Sequence, residues 1–444
     1  MNRFYDHLAV KEAAGEGAER APANHDAAEQ ENMRKNPFIP FHVPSIGEEE
    51  VREVEATLRS GWLTTGPRTA QFEKEFGAYV GASHAIAVNS CTAGLHVAFA
   101  ALGIGKGDEV ITTPLTFCST VHTILHAGAK PVLADIGADG NIDPEEIARS
   151  ITPRTRAIVP VHFAGQSCEM EAIWKLARQH GLFVIEDAAH AAGAQYQGRP
   201  IGMTAERGGD ASDAVSFSFY ATKNMTTGEG GMITTPHESL AARMRILALH
   251  GMNRDAWNRY SQVGTWYYEV VAAGFKYNLT DLQSALGIHQ LRKLDSFIET
   301  RARYARIYSE GLSEVQEVET PPDCPRYRHS WHLYALRLNL DQLQIDRHGF
   351  IEELRRRGIG ASVHFIPIPL HPFFAKMPLA KRPCPRALSL YPRLVSLPLY
   401  PAMTEDQVHY VTESVKDIVK ANSTRETAFV RAKCGTRLGN QTAW

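Results

Sequence analysis

Apolar segments typical of buried strands alternate along this chain with amphipathic helical segments, and this alternation restricts the fold more than any other feature. Residues 157–162 and 182–186 have the pattern of strands, and residues 170–180 between them have helical spacing. Two parallel strands need a connection of this length, which is usually a helix. The pattern therefore predicts an α/β fold with a mostly parallel mixed sheet flanked by helices.

Length and segment order predict two domains and two extensions. At 444 residues the chain exceeds what one hydrophobic core usually supports. We expect a large domain over residues 37–290 and a smaller C-terminal α+β domain over residues 291–420, with a long linking helix from about residue 280. Residues 1–36 are polar and rich in alanine and charge. We expect these residues, and the tail 421–444, to be flexible.

The smaller domain is predicted to contain both strands and helices. Residues 329–338 and 361–365 have the pattern of strands, and residues 350–357 and 404–419 have the pattern of helices. This mixture is the basis for describing the smaller domain as α+β.

Composition argues against a protein that binds nucleic acid, membranes or metal. The formal net charge is −2, which gives no broad basic surface for a phosphate backbone or a membrane. The 6 cysteines show neither metal-ligand spacing nor a small-domain disulfide pattern, and this suits a reduced, cytoplasmic setting. No apolar run approaches the length of a membrane span, and the polar start lacks the apolar stretch of a signal peptide.

One lysine, Lys223, is placed where an amine can become reactive. It follows an apolar run with the alternation of a buried strand and precedes the glycine-rich residues 228–231. A partly desolvated amine loses its charge more easily, and a neutral amine is the nucleophile that a Schiff base needs. An isolated lysine at a strand end more often only reaches solvent. The interpretation therefore depends on what the other strand ends carry.

A carboxylate, Asp187, ends the apolar strand 183–187. In open α/β sheets ligands bind beyond the carboxyl ends of the strands. A carboxylate there can keep the pyridine nitrogen of pyridoxal phosphate (PLP) protonated, which makes the ring an electron sink. The alternative is a carboxylate that only caps the following helix.

Two further strand ends suit a phosphate and a flat ring. Thr92 and Ala93 lie in a turn of small residues between strand 84–88 and a helical segment, where backbone amides can approach an anion. Phe117 follows strand 109–112 and could stack on a planar ligand. Helix capping and core packing are the alternative roles of these residues.

Taken in chain order, these segments resemble the PLP-dependent sugar aminotransferases of the DegT/DnrJ/StrS family, a branch of the fold type I aminotransferases. The resemblance runs from about Ile39 to about Lys420. It includes further motifs: Leu63 to Pro67, Glu186 to His190, Gly274 to Gln283, Val363 to Pro367 and Ser396 to Pro401.

The resemblance implies roles for individual residues. Lys223 matches the lysine that forms the Schiff base with PLP and moves the proton between donor and cofactor carbons. Asp187 matches the partner of the pyridine nitrogen, and His190 matches a residue near the cofactor's phenolic oxygen. Phe117 matches an aromatic residue that covers the ring.

The resemblance also implies a set of phosphate contacts. Thr92, Ala93 and Ser218 match residues that hold the PLP phosphate. Asn278 is a further expected cofactor contact, at the end of residues 274–278. Many family members have Gly-Tyr-Asn-Tyr-Arg at this place, where the present chain has Gly-Phe-Lys-Tyr-Asn.

The family further implies L-glutamate as amino donor and a nucleotide-linked keto-sugar as acceptor, most often aminated at carbon four. Residues 250–257 and 266–269 look most like the branch that makes surface polysaccharides. We expect Thr65 and His364 to contact substrate. Family members usually form homodimers whose active sites use residues of both subunits.

Three alternatives remain open at this point. Relatives that act as dehydratases replace the lysine by histidine, so the presence of Lys223 argues against dehydration. A keto-cyclitol of an antibiotic pathway could replace the keto-sugar as acceptor. A non-catalytic regulatory protein of the same fold would be expected to lack Lys223 or Asp187, and both are present.

Overall fold

The computed structural model describes residues 38–203, 210–253, 267–322 and 326–424. The predicted extension 1–36 and nearly all of the predicted tail lie outside these ranges. The same holds for Cys324, Cys434 and residues 254–266, so residues 250–253 and 267–269 are the described parts of the two segments that suggested a polysaccharide branch.

The described part of the chain contains thirteen strands, and seven of them form the large sheet. The strands are β1 (His84–Val88), β2 (Glu109–Thr112), β3 (Lys130–Leu133), β4 (Thr155–Val159), β5 (Phe183–Asp187), β6 (Gln195–Tyr196), β7 (Arg199–Pro200), β8 (Ala214–Ser218), β9 (Gly231–Thr235), β10 (Val318–Glu319), β11 (Tyr327–Arg328), β12 (Tyr334–Leu338) and β13 (Leu394–Leu397). The order of the large sheet is β1-β9-β8-β5-β4-β2-β3. β9 is antiparallel to both neighbours, and all pairs from β8 to β3 are parallel. The predicted mostly parallel mixed sheet is therefore confirmed.

The described residues form eleven α-helices, some of which cover the two faces of this sheet. The helices are α1 (Glu48–Ser60), α2 (Pro67–Val80), α3 (Cys91–Leu102), α4 (Cys118–His126), α5 (Pro144–Ser150), α6 (Met170–His180), α7 (Glu238–Ala248), α8 (Asp281–Leu312), α9 (Arg347–Arg356), α10 (Pro385–Leu390) and α11 (Glu405–Asn422). The adjacent residues Val184 and Ile185 belong to two different apolar clusters. Successive side chains of a strand point to opposite faces, so each face has its own core.

A smaller antiparallel sheet lies in the C-terminal part of the chain, in the order β10-β12-β13. Its residues share one apolar cluster with α9, through Phe350 and Leu354, and with α11, through Val411 and Val415. A third small sheet pairs β11 with β6 and β7.

Two strand predictions in this part are wrong in detail. Residues 361–365 do not form a strand: Ser362 makes one isolated bridge, to Ser396 at β13. The nearby Pro367 and Pro369 have no N–H to donate, so a longer ladder would lack bonds there. The strand predicted over 329–338 begins only at Tyr334, because the residues before it turn sharply and Trp331 has a φ of +49°.

The long helix α8 connects the two regions. Its 32 residues begin after Thr280, whose side chain accepts a hydrogen bond from the backbone of Gln283 in a capping box. The predicted boundary between residues 290 and 291 falls inside this continuous helix. The division into domains stays a prediction.

Candidate active site

A cavity of about 440 Å³ lies beyond the carboxyl ends of β5 and β8, beside the N-terminus of α3. Such a position, at the ends of sheet strands, is where open α/β folds bind ligands. Seven residues that were predicted from the sequence line it, namely Thr92, Phe117, Asp187, His190, Ser218, Lys223 and His364.

Lys223 enters the cavity from the loop between β8 and β9. Thr226 Oγ1 donates a hydrogen bond of 3.1 Å to the carbonyl of Phe219, so the loop is closed on itself. The next residue after the lysine, Asn224, donates through Nδ2 to the carbonyl of Ser330 at 2.5 Å. These bonds fix the backbone from which the amine projects.

Burial makes the amine of Lys223 weakly basic. Desolvation lowers its pKa from 10.5 to about 8, although the charge of Asp187 and then that of Cys91 act in the opposite direction. A neutral amine is therefore present at neutral pH in a much larger fraction than for an exposed lysine. This is the state that reacts with a carbonyl group.

The carboxylate of Asp187 is held from several sides. It is 3% exposed and accepts hydrogen bonds from Thr120 Oγ1 at 2.7 Å and from the N–H of Ala189 at 3.2 Å. The thiol of Cys91 lies 3.7 Å from Oδ1 of Asp187, the oxygen that also accepts from Ala189. Because Thr120 donates to Asp187, the 2.8 Å contact of Thr120 with Thr116 is one in which Thr116 donates. The carboxylate is thus fixed at the cavity wall.

The N-terminus of α3 forms the end of the cavity that suits an anion. Ser90 Oγ caps the helix by accepting a hydrogen bond of 3.1 Å from the N–H of Ala93, and Ala93 itself does not line the cavity. Gly231 of β9 packs so closely that a Cβ there would lie 2.6 Å from the carbonyl carbon of Ser90. Thr92 and Ser218 face the cavity at this positive helix end.

Neutral imidazoles stand around Lys223. Burial first, and the charge of Lys223 second, lower the pKa of His364 to about 4. Burial also lowers the pKa of His190 and of His332 well below the ordinary value. These rings therefore offer the site neutral hydrogen-bonding groups at pH 7.

Aromatic rings support two of these histidines. His190 stacks on Phe365 at a centroid distance of 5.6 Å, and His364 stacks on Phe41 at 5.5 Å. His364 Nδ1 also lies 2.9 Å from Ser396 Oγ. Phe117 lines the cavity but is 59% exposed, with its ring 6.2 Å from that of Phe365.

Thr65 and Asn278 lie outside this cavity, and they contact each other. Asn278 Nδ2 donates to Thr65 Oγ1 at 2.7 Å, and Thr65 donates to the carbonyl of Leu279 at 2.5 Å. Asp281 fixes the neighbouring turn by accepting from the N–H of Gly66 at 2.8 Å. Within one chain these two residues are therefore not brought to the other predicted site residues.

The sequence interpretation missed three residues that shape the site. Phe41 and His332 line the cavity, and Thr120 holds Asp187. Thr120 lies three residues after Phe117 on the first turn of α4, and this i to i+3 spacing was a usable signal. Phe41 and His332 belong to irregular segments, where periodicity gives none.

The assembled groups fit the cofactor that the resemblance implies. Three kinds of group line separate parts of one cavity. The buried carboxylate suits a ring nitrogen, the weakly basic amine suits an aldehyde, and the helix N-terminus with Ser218 suits a phosphate. His190 Nδ1 is buried and has no hydrogen-bond partner among protein atoms.

In the described ranges no cluster of three or more His, Cys, Asp or Glu side chains could hold a metal ion. Those ranges also contain no helix with the length and apolar character to span a membrane.

Comparison with known proteins agrees with this site. A sequence model described as the DegT/DnrJ/EryC1/StrS aminotransferase family matches residues 44–416. The spore coat polysaccharide biosynthesis protein SpsC of Bacillus subtilis is 52% identical over 391 residues, which is 87% of this chain and 99% of SpsC.

Two solved structures are similar over nearly their whole length. Spr1654 of Streptococcus pneumoniae, assigned as a sugar aminotransferase and solved in a PLP form, has a TM-score of 0.78 and 30% identity, and the match covers 86% of this chain and 99% of that chain. PseC of Helicobacter pylori, an aminotransferase of pseudoaminic acid biosynthesis, has a TM-score of 0.79 and 30% identity over 86% of this chain and 100% of its own. The present chain therefore belongs to the DegT/DnrJ/EryC1/StrS family and is a PLP-dependent sugar aminotransferase.

Proposed function

We propose that this enzyme transfers the amino group of L-glutamate to a nucleotide-linked keto-sugar, at carbon four, for a surface polysaccharide. The observation that carries the catalytic part is the amine of Lys223, weakly basic through burial, in one cavity with the fixed carboxylate of Asp187. The similarity to SpsC supports a polysaccharide product, since that relative is named for spore coat polysaccharide biosynthesis.

The site residues have separate tasks in this proposal. Lys223 Nζ acts first as a nucleophile and then as the base that removes the proton from the α-carbon of the donor. When bound, PLP supplies an electron sink for the electrons left on that carbon. Asp187 holds a proton on the ring nitrogen, and Thr120 keeps its carboxylate oriented for this.

The remaining residues bind and orient. Thr92 and Ser218, at the positive end of α3, hold a phosphate, and Ala93 contributes to the turn that shapes this pocket. His190 and Phe117 flank the cofactor ring. His364, neutral and oriented by Ser396, offers a hydrogen bond to a sugar hydroxyl.

A homodimer completes the site in this proposal. Thr65 and Asn278 lie together outside the cavity of their own chain, so their predicted contacts with substrate and cofactor would be made in the cavity of a partner. Several large apolar residues are exposed on a single chain, including Phe117 at 59%, Val270 at 64%, Val271 at 56% and Phe373 at 57%. An interface between subunits would cover such a surface.

The direct test follows both half-reactions. The PLP-loaded enzyme is mixed with L-glutamate, and the absorbance of the cofactor and the formation of 2-oxoglutarate are recorded. A panel of nucleotide-linked 4-keto-sugars, 3-keto-sugars and a keto-cyclitol is then offered to the aminated enzyme. We expect return of the original absorbance only with a 4-keto-sugar nucleotide.

The control is the Lys223→Ala variant, which should fold normally and show neither change, because a lysine at a cavity wall contributes little packing. Return of the absorbance with the keto-cyclitol alone would assign the antibiotic-type acceptor. An unchanged spectrum with glutamate and with other amino acids would refute transamination by this site.

A further inference from the structure

A second, much smaller cavity adjoins the lysine loop, residues 219–230 between β8 and β9. Lys223 lines both this cavity and the active site, and the other walls come mainly from residues 42–45, from α8 and from the residues just after the lysine. The space open to the centre of a water-sized sphere is about 10 Å³. Such a volume holds a single water molecule or a single small ion, since a buried water needs about 10–15 Å³ by this measure.

Buried polar atoms without a protein partner gather at this cavity. In the described ranges nine buried side-chain nitrogen or oxygen atoms have no hydrogen-bond partner among protein atoms. Five of the nine belong to residues that line the cavity, namely His42 Nε2, Ser45 Oγ, Asn224 Oδ1, Arg301 Nε and Arg301 Nη2. Gln290 and Thr226, which also line it, are paired with protein groups. Buried polar atoms are nearly always hydrogen-bonded, so five of them around one small cavity indicate a bound molecule that they share.

Arg301 offers this molecule hydrogen-bond donors only. The side chain is 0% exposed, and its Nη1 already donates to the carbonyls of Leu399 at 2.5 Å and Trp331 at 3.3 Å. Desolvation lowers its pKa to about 9, so the guanidinium stays protonated at neutral pH. A protonated guanidinium has no lone pair, and its Nε and Nη2 can therefore only donate to a bound molecule.

Asn224 and His42 offer acceptors. Asn224 donates through Nδ2 to the carbonyl of Ser330, which leaves Oδ1 for the cavity. Burial first and the charge of Arg301 second lower the pKa of His42 to about 4, whereas a hydrogen bond with the backbone of Ala221 raises it. A bond that raises the pKa of a histidine is one in which the ring donates. The neutral ring thus carries its proton towards Ala221, and its unpartnered Nε2 is an acceptor.

We propose that this cavity is a binding site for one water molecule, which joins the lysine loop to α8 and to residues 42–45. The water accepts a hydrogen bond from Arg301 and donates to Asn224 Oδ1 and His42 Nε2. Ser45 Oγ supplies the fourth contact, because a hydroxyl can donate to the remaining lone pair of the water. A halide ion would suit the guanidinium but would face two lone pairs, and a metal cation would be repelled by the guanidinium. Of the single small guests that the volume admits, water matches the whole set of donors and acceptors.

The direct test is a high-resolution crystal structure of the unchanged, PLP-loaded enzyme, from crystals soaked in sodium bromide. We expect one density peak in the cavity, at about 2.7–3.2 Å from polar atoms of Arg301, Asn224 and His42, and no anomalous bromine signal there. An anomalous peak would make the cavity an anion site. Absence of density would mean that the polar atoms are left unpaired. Either of these two results would overturn the proposal.

A double-mutant cycle tests the shared molecule in solution. His42→Phe and Asn224→Leu each remove one acceptor and nearly keep the side-chain volume, and neither acceptor atom has a protein partner. We expect each change to lower the urea midpoint of unfolding at neutral pH. The double variant should lower it by less than the sum, because the same water is lost only once.

The matched control for the cycle is Asn422→Leu, at the end of α11, where Asn422 Nδ2 donates to the carbonyl of Ile418. Its effect should add to that of His42→Phe, because the two sites share no partner. Additive effects of His42→Phe and Asn224→Leu would show that these side chains share no bound molecule, and would also overturn the proposal. If a variant fails to fold, the crystal structure of the unchanged enzyme still decides the question.

Discussion

The reactivity of Lys223 should depend on pH in a way that its burial dictates. With a pKa lowered from 10.5 to about 8, about one tenth of the amine is neutral at pH 7, against about 0.03% for a pKa of 10.5. The neutral fraction is thus about 300-fold larger in the folded protein than in the unfolded chain. Because the amine is neutral above its pKa, the rate of cofactor capture should rise about tenfold per pH unit below 8 and level off above it.

The assay is stopped-flow absorbance after PLP is mixed with the cofactor-free enzyme, in steps from pH 6 to 10. Free PLP with a lysine-containing peptide serves as the reference and should keep rising towards pH 10. Asp187→Asn adds a second perturbation with a predicted direction. Since the charge of Asp187 raises the pKa of the amine, its loss should move the midpoint to lower pH. A capture rate that still climbs tenfold per unit between pH 9 and 10 would refute the argument that burial controls this amine.

Three other changes test the site and its frame. Asp187→Ala should still capture the cofactor but lose at least about 100-fold in the glutamate half-reaction, because an unprotonated ring is a poor electron sink; full turnover by this variant would disprove the assignment. Ser218→Ala should weaken PLP binding about tenfold in equilibrium dialysis, as expected for one hydrogen bond to a charged group, and an unchanged affinity would remove Ser218 from the phosphate pocket. Gly231→Ala should destabilise the protein by about 2 kcal/mol in urea unfolding, because its Cβ would lie 2.6 Å from the carbonyl carbon of Ser90. Wild-type stability of this variant would mean that the backbone at the start of α3 can move away.

The large sheet and the chemical centre could be predicted because their signals are local. The strands that end in Asp187 and Ser218 could be recognised from their runs of apolar residues. Parallel strands bring such ends to one edge of a sheet. The start of α8 was equally readable, since a threonine followed three residues later by glutamine forms a capping box. In these cases the local preference and the final fold agree.

The parts that could not be predicted depend on contacts between distant segments. The strand pattern over 361–365 was replaced by a single bridge, and the turn at Trp331 is held by contacts with Arg301 and with the segment of Ala164. His332 reaches the cavity through that turn, so no periodicity could have placed it there. For Thr65 and Asn278, the pattern gave no information that they would lie outside the cavity of their own chain.

The continuity of α8 makes its length a fixed quantity. Asp281 at its first turn anchors the loop before α2, and Arg301 about five and a half turns later anchors the carbonyls beneath the cavity. Removing or adding one residue between them would swing everything downstream by about 100° around the helix axis and point the guanidinium away from its acceptors. We therefore expect this stretch to tolerate no insertion or deletion of a residue, in contrast to surface loops, whose length can vary.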